Sequence, residues 1–154
     1  MGRVRSGVDV VEIDRFRAAL ERRPRLRERL FVPGELERCL SRRDPIPCLA
    51  VRFAAKEAVG KLLGTGVLSW QEIEIVGSGP PRLRLAGRTA AVAAREGVAD
   101  EISLSLSHSK FVAVAVAVAV TVAAGLEAGT NSDRDGGRGL GDAFDRGAPD
   151  RDAT

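Results

Sequence analysis

Apolar positions recur at helical spacing in the middle of the chain, between Val51 and Gly66. One arc comprises Val51, Ala54, Ala55, Ala58, Val59 and Leu62, and the other comprises Arg52, Lys56, Glu57 and Lys61. This periodicity predicts a central amphipathic helix. Gly64 suits the left-handed residue that ends a helix, so Gly64-Thr65-Gly66 is expected to form a loop. Alanines and Gly60 keep the polar side low, and we expect room there for a ligand beside the helix backbone.

The segment before this helix predicts a strand followed by a second helix. Residues 4–8 favour a short strand, and Asp9 with Glu12 three positions later resembles a capping box. We therefore expect Asp9 to cap a helix over residues 10–22. A short helix is also expected near residues 36–40, before the turn that leads into the central helix.

Hydrophobic alternation of period two marks the strands after the central helix. The predicted elements are a hairpin with strands at 70–76 and 82–85, an Ala-rich helix at 87–96, a strand at 102–107 and a strand at 111–122. The last strand has Val at every even position from 112 to 122 and mostly Ala at the odd ones. Val favours strands and supplies a face for packing, while Ala lets another layer approach closely. We expect this strand to be central in its sheet or covered at an interface between subunits.

These elements predict an α+β fold, with a small, mostly antiparallel sheet packed against the central helix in one domain over residues 1–124. Seven of the 17 glycines lie in residues 125–154, among seven acidic residues and four arginines. That composition predicts a disordered tail. The tail has a net charge of −3, so a chain net charge of +3 leaves +6 on the domain, which favours an acidic partner.

Three further observations narrow the class of protein. The nearly apolar run at 111–124 is too short to cross a membrane, and five Phe, one Trp and no Tyr leave few stacking surfaces for nucleic acid. Cys39 and Cys48 lie nine residues apart without a CxxC partner. We interpret them as reduced thiols in a cytoplasmic protein.

The polar arc of the central helix is the first candidate for chemistry, because Glu57 stands among three cations there. Such a set suits a phosphate bridged by a metal ion. The glycines follow the helix rather than precede it, so this is not a P-loop. His108, the only histidine, ends a strand within Ser107-His-Ser-Lys110, and no G-x-S-x-G elbow accompanies it. From the pattern alone, Asp9 is a helix cap rather than a ligand.

Three blocks of the sequence resemble the bacterial holo-[acyl-carrier-protein] synthases, the small type of 4′-phosphopantetheinyl transferase. They are GVDVVEIDRF at 7–16, RFAAKEAVGKLLGTG at 52–66 and SLSHSKFVAVAVA at 105–117. The resemblance implies a transferase that moves 4′-phosphopantetheine from coenzyme A to a serine of apo acyl carrier protein, with 3′,5′-ADP as the other product. It leaves open whether the carrier serves fatty-acid or polyketide synthesis.

By resemblance, Asp9 and Glu57 match the metal ligands, and the metal is Mg²⁺. Lys61 is then placed on the same phosphate, which gives Asp9, Glu57 and Lys61 as the catalytic residues. The resemblance implies coenzyme A contacts from Arg52, Lys61, Gly64, Thr65, Gly66, Ser107 and His108. It leaves open whether Glu57 or a water beside it is the base.

The resemblance also implies a homotrimer with active sites shared between neighbouring subunits. A basic first helix suits docking of the acidic carrier, with Arg15 and Arg22 as the first candidates. The alternative is a non-enzymatic module whose basic helix binds an acidic protein or nucleic acid. That alternative explains the arginines but leaves Asp9, Glu57 and His108 without a role.

Overall fold

The computed structural model describes residues 2–77, 79–98 and 102–121. The chain order is β1 (Arg3–Glu12), α1 (Ile13–Arg22), α2 (Leu26–Leu30), α3 (Pro33–Leu40), α4 (Ile46–Leu63), a 3₁₀ turn (Trp70–Glu72), β2 (Ile73–Val76), β3 (Arg82–Leu85), α5 (Gly87–Arg95), β4 (Ser103–His108) and β5 (Val112–Thr121). The predicted tail at 125–154 lies outside the described residues.

Two antiparallel sheets confirm the predicted fold class. β5 is the central strand of a three-stranded sheet of order β1-β5-β4, as the Val/Ala pattern predicted. It pairs with β1 along ten residues, from Glu12 opposite Val112 to Arg3 opposite Thr121, and with all six residues of β4. β2 and β3 form the predicted hairpin.

The prediction that Asp9 caps a helix is wrong. β1 continues through Asp9 to Glu12, and α1 begins at Ile13. The ladder with β5 extends over residues 9–12, so pairing along the whole strand prevails over a local capping box. The structure also contains α2, which the sequence did not predict. The first three residues of the predicted strand at 70–76 form the 3₁₀ turn instead.

α4 lies at the centre of the molecule and is buried on all sides. Every one of its residues except Pro47 and Lys61 is buried. One side packs on β1 and β5, and the other packs beneath α1, α3 and β2. Arg52, Lys56 and Glu57 of the predicted polar arc are therefore buried, because the helix is covered by both layers, and only Lys61 of that arc reaches solvent. Among the described residues, no helix is long and apolar enough to cross a membrane.

Lys56, which the sequence placed on the polar arc, has a buried structural role instead. Its side chain is fully buried, and its Nζ lies 2.7 Å from Glu35 Oε2. The same Nζ donates to the Leu30 carbonyl at 2.7 Å and the Trp70 carbonyl at 2.9 Å. Glu35 Oε1 in turn accepts from the backbone N–H of Ile75 at 3.0 Å. Lys56 therefore joins α2, α3 and the 3₁₀ turn to α4 and has no ammonium hydrogen left for a ligand.

The two faces of β5 have different environments. The odd-numbered alanines, Ala113, Ala115, Ala117 and Ala119, are buried on the side of α4. The even-numbered valines face away from α4, and Val118 and Val120 are exposed. Val8 and Val10 of β1 lie opposite Val116 and Val114 and are also more than half exposed. Together they form an apolar outer face of the sheet, which we call the valine face.

The expectation that Cys39 and Cys48 are reduced is wrong in this structure. The two residues form a disulfide, with their Cα atoms 5.5 Å apart. α3 and the first turn of α4 lie side by side after a short turn, and this brings the two sulfurs within bonding range. The cysteines therefore no longer support the prediction that the protein is cytoplasmic.

Candidate active site

A glycine-dependent contact holds Asp9 next to α4. Gly7 lies on the buried side of β1, two residues before Asp9, and a Cβ there would come within 1.9 Å of the Ala58 carbonyl oxygen. Only glycine therefore lets β1 lie this close to the helix. The same alternation turns Asp9 toward α4, where Glu57 and Lys61 project. The three predicted catalytic residues meet at this junction.

Lys61 bridges the helix and the strand. Its Nζ donates to Asp9 Oδ1 at 2.8 Å and to the Val8 carbonyl at 3.1 Å. Burial raises the pKa of Asp9, while the hydrogen bond and charge of Lys61 act to lower it. The Lys61 side chain is 41% exposed, so its third ammonium hydrogen can reach a ligand from solvent.

Glu57 has the most perturbed acidity of the site. Burial raises its pKa to about 7, the charge of Asp9 adds to the rise, and Lys61 opposes it. Among the described residues, no side chain donates a hydrogen bond to this carboxylate. Two desolvated carboxylates beside each other form a site at which a bound cation relieves repulsion.

The donor set at this junction fits Mg²⁺. Mg²⁺ in enzymes is commonly bound by one or two carboxylates, with waters and substrate phosphates completing the octahedron. Asp9 and Glu57 supply two carboxylates. The described residues contain no group of three or more His, Cys, Asp or Glu that could hold a metal, so no all-protein cage forms there.

The loop after α4 has the predicted helix ending. Gly64 has φ 76°, in the left-handed region, and the amides of Thr65 and Gly66 both donate to the Gly60 carbonyl. A Cβ on Gly60 would lie 2.5 Å from the Gly66 carbonyl carbon. The space that the sequence assigned to a ligand at Gly60 is therefore filled by the chain's own backbone. Gly66 itself faces open space, so a ligand can still lie along the loop.

Arg52 lies one turn after Cys48 on α4, among buried residues. Its Nη1 donates to Cys48 Sγ at 3.0 Å and to the Cys48 carbonyl at 3.3 Å. Its Nε is buried without a hydrogen-bond partner, and burial lowers the pKa of the guanidinium. The negative charge of Glu35 opposes this decrease in pKa, while the positive charges of Arg38 and Arg42 add to it. An anion at this place would satisfy both the free donor and the clustered charge.

His108 lies apart from the carboxylates, in a cleft of about 570 Å³. The cleft is lined by Ile13, Asp14, Arg17, Asp44, Pro47, His108, Ser109, Lys110 and Phe111. Two strand spacings and two residues of register put the His108 and Asp9 Cα atoms of one chain roughly 12 Å apart. Ser107 is also exposed and pairs with Val114 on the outer side of the sheet.

The sequence did not identify Arg17 and Asp44 as cleft residues. Arg17 Nη2 contacts Asp44 Oδ2 at 2.8 Å, and Nη1 contacts Oδ1 at 3.3 Å. The pair joins α1 to the turn before α4 across 27 residues of sequence. Each residue looks like an ordinary surface charge in the sequence, and no local pattern predicts their contact.

The sequence matches a known protein family and its members. Residues 5–117 match the family model of the 4′-phosphopantetheinyl transferase superfamily. A holo-[acyl-carrier-protein] synthase of Streptomyces avermitilis is 53% identical over 110 residues, which are 70% of this chain and 89% of the relative.

Solved structures agree with the sequence comparison. The synthase of Neisseria meningitidis has a TM-score of 0.68 at 28% identity, covering 75% of this chain and 96% of that one. The synthase of Bacillus anthracis, solved with CoA (3′,5′-ADP), has a TM-score of 0.62 at 29% identity, covering 77% and 96%.

Proposed function

Because the chain belongs to the 4′-phosphopantetheinyl transferase superfamily, we propose that Asp9, Glu57 and Lys61 transfer 4′-phosphopantetheine from coenzyme A to an acyl carrier protein. The acceptor is a serine hydroxyl of the apo carrier. Its oxygen forms a bond to the pantetheine phosphorus, and the bond from that phosphorus to the bridging oxygen breaks. The products are holo carrier protein and 3′,5′-ADP.

The observation that supports this assignment best is the cluster of Asp9 on β1 with Glu57 and Lys61 on α4, in which two carboxylates share one cation. Asp9 and Glu57 are held together in a desolvated place with Lys61 as their only described cation. Such a cluster is arranged for a group that brings positive charge together with phosphate oxygens. Coenzyme A provides those oxygens, and relatives of known structure were solved with it.

Asp9 and Glu57 would hold Mg²⁺ in this proposal. When bound, the ion supplies Lewis-acid neutralisation of the pyrophosphate charge. Lys61 orients Asp9 through its ion pair and directs its remaining hydrogen at the leaving phosphate, whose growing charge it stabilises. Glu57 accepts the proton of the serine hydroxyl, directly or through one water.

The other predicted residues hold the length of coenzyme A. Gly64, Thr65 and Gly66 line the path of the pantetheine, since the side of Gly66 is open. Arg52, with its free Nε, together with His108 and Ser107 at the end of β4, holds the phosphorylated adenosine end. The exposed Arg15 and Arg22 on α1 supply charge for an acidic carrier protein.

We further infer that the valine face is covered by other copies of the chain in a trimer. The face is apolar across β1 and β5, and among the described residues nothing packs on it. Cyclic symmetry would repeat one contact three times and leave no open edge. We propose that His108 of one subunit then completes the Asp9–Glu57 site of its neighbour. Size measurement by light scattering tests the assembly, and a monomer would reject it.

Intact-mass spectrometry tests the reaction itself. An apo acyl carrier protein is incubated with coenzyme A, Mg²⁺ and the protein, and the carrier is expected to gain one 4′-phosphopantetheine. Glu57→Gln is expected to abolish the gain, while Glu37→Gln, a change at an exposed carboxylate of α3, leaves it intact. A carrier that binds without any mass gain would reject the transferase and favour the non-enzymatic alternative.

A further inference from the structure

The Cys39–Cys48 disulfide closes a loop that no part of the proposed reaction uses. It joins α3 to the first turn of α4, and both sulfurs belong to buried residues. The enclosed segment, residues 40–47, is mostly exposed. The disulfide therefore fixes both ends of an otherwise solvent-facing turn to the core.

One end of this disulfide contacts Arg52 directly. Arg52 Nη1 donates to Cys48 Sγ at 3.0 Å and to the carbonyl of the same residue at 3.3 Å. These contacts occupy one nitrogen of the guanidinium, while Nε is buried and unpartnered. The Cys48 sulfur is therefore one of the two contacts that orient the Arg52 guanidinium.

The enclosed turn also forms one wall of the His108 cleft. Asp44 and Pro47 both line that cleft. Asp44 is held from one side by Arg17 and from the other by the Ile46 backbone N–H, at 3.1 Å from Oδ1. Cys48 directly follows Pro47, so the disulfide anchors this wall as well as the sulfur that Arg52 contacts.

We propose that the Cys39–Cys48 disulfide positions Arg52 for the nucleotide end of coenzyme A, so that reduction weakens coenzyme A binding. This inference rests on the proposed function. A dithiol reductant transfers two electrons and two protons to the S–S bond, which becomes two cysteine thiols while the reductant closes to its own disulfide. Residues 40–47 then lose a covalent anchor, and the contact of Arg52 with the Cys48 sulfur loses its fixed geometry.

The test compares oxidised and dithiothreitol-reduced protein whose thiol content has been measured by alkylation and mass spectrometry. Reduction is expected to raise the KM for coenzyme A and the Kd for 3′,5′-ADP roughly threefold to tenfold, as for one weakened contact to a charged group. The KM for the carrier and kcat should stay within about twofold, because Asp9, Glu57 and Lys61 lie on other turns and strands. Reoxidation should restore the original values.

Two variants separate the sulfur from the covalent bond. Cys39→Ser removes the disulfide but leaves the Cys48 sulfur beside Arg52, whereas Cys48→Ser removes both. Both variants should resemble reduced wild type, be insensitive to dithiothreitol, and differ from each other only by the contribution of the sulfur contact. Circular dichroism shows whether each variant folds. If a variant does not fold, the reduced wild type takes its place in the comparison.

The outcomes distinguish this inference from the proposed function. Equal coenzyme A and 3′,5′-ADP affinities in verified oxidised and reduced protein would overturn it, even if transfer is efficient. Two freely alkylated thiols in protein kept without reductant would overturn it as well. Absence of transfer in both redox states would reject the proposed function, while a redox-dependent Kd for 3′,5′-ADP would still support the role of the disulfide.

Discussion

Lys56 and Glu57 are neighbours on α4, but their surroundings differ in completeness. Lys56 is fully buried, and its ammonium group has three partners: Glu35 and two backbone carbonyls. Glu57 is desolvated beside a second carboxylate, and its pKa is raised to about 7. A closed cluster stabilises the fold, whereas an open cluster keeps a place for a ligand. Completeness of partners, rather than charge or burial, separates Lys56 from Glu57, the residue that we propose to act in the reaction.

The largest expected effect is on the closed cluster. Lys56→Met would leave Glu35 buried without its cation, and we expect the free energy of unfolding to fall by about 3–5 kcal/mol. Adding Glu35→Gln should recover part of that loss, because the uncompensated charge is removed. Chemical denaturation measures both. Unchanged stability in Lys56→Met, or a loss of transfer per folded molecule, would contradict the structural role.

The open cluster should respond in activity instead. Glu57→Gln replaces the carboxylate by an amide of almost the same shape. We expect kcat/KM to fall by roughly 10³-fold, which equals about 4 kcal/mol of lost transition-state stabilisation. Asp9→Asn should act similarly. The fold should remain intact by circular dichroism. Transfer at the wild-type rate by either variant would remove that residue from the site.

The raised pKa of Glu57 predicts how stability depends on pH. Between its ordinary value of 4.5 and about 7, the folded state keeps a proton that the unfolded state releases. The free energy of unfolding should therefore fall as pH rises through this window, by about 1–3 kcal/mol in a metal chelator. Glu57→Gln should lose this slope, and Mg²⁺ should offset it in the wild type. A slope that is the same in both proteins would contradict the open cluster.

The smallest expected effect is on an exposed ion pair. Arg84 Nη1 lies 2.7 Å from Glu74 Oε2, with the arginine side chain 68% exposed. Arg84→Ala should change the free energy of unfolding by only about 0–1 kcal/mol and leave transfer unchanged. Its comparison with Lys56→Met keeps the kind of contact similar and changes the burial. A loss as large as that of Lys56→Met would show that burial is not the deciding factor.

Period and turn chemistry were enough to predict much of the fold from the sequence. The pairing of β2 with β3, the central position of β5 and the left-handed Gly64 all follow from local patterns. Asp9 was assigned to a helix cap because the capping box is local, whereas the ladder that overrides it comes from residues more than a hundred positions later. Long-range pairing is what local rules cannot supply.

In the candidate site, too, long-range contacts decide what the sequence pattern could not predict. Asp9, Glu57 and Lys61 were identified by resemblance, and the structure brings them together. Lys56 had the same charge and the same predicted face as Lys61. Only the burial of α4 beneath α3 and its contact with Glu35 distinguish the two. The disulfide was missed for a similar reason, since nine residues of sequence do not show that α3 folds back beside α4.

Alternate residues of β5 face opposite sides of the sheet, so the odd-numbered and even-numbered positions should respond to mutation independently. Enlarging an odd-numbered alanine such as Ala115 crowds α4 and should destabilise the single chain by about 1–3 kcal/mol. Changing an even-numbered residue such as Val118 leaves that core untouched and acts on whatever covers the outer face. Folding therefore limits which residues the odd-numbered positions accept, and in the proposed trimer assembly would limit the even-numbered positions.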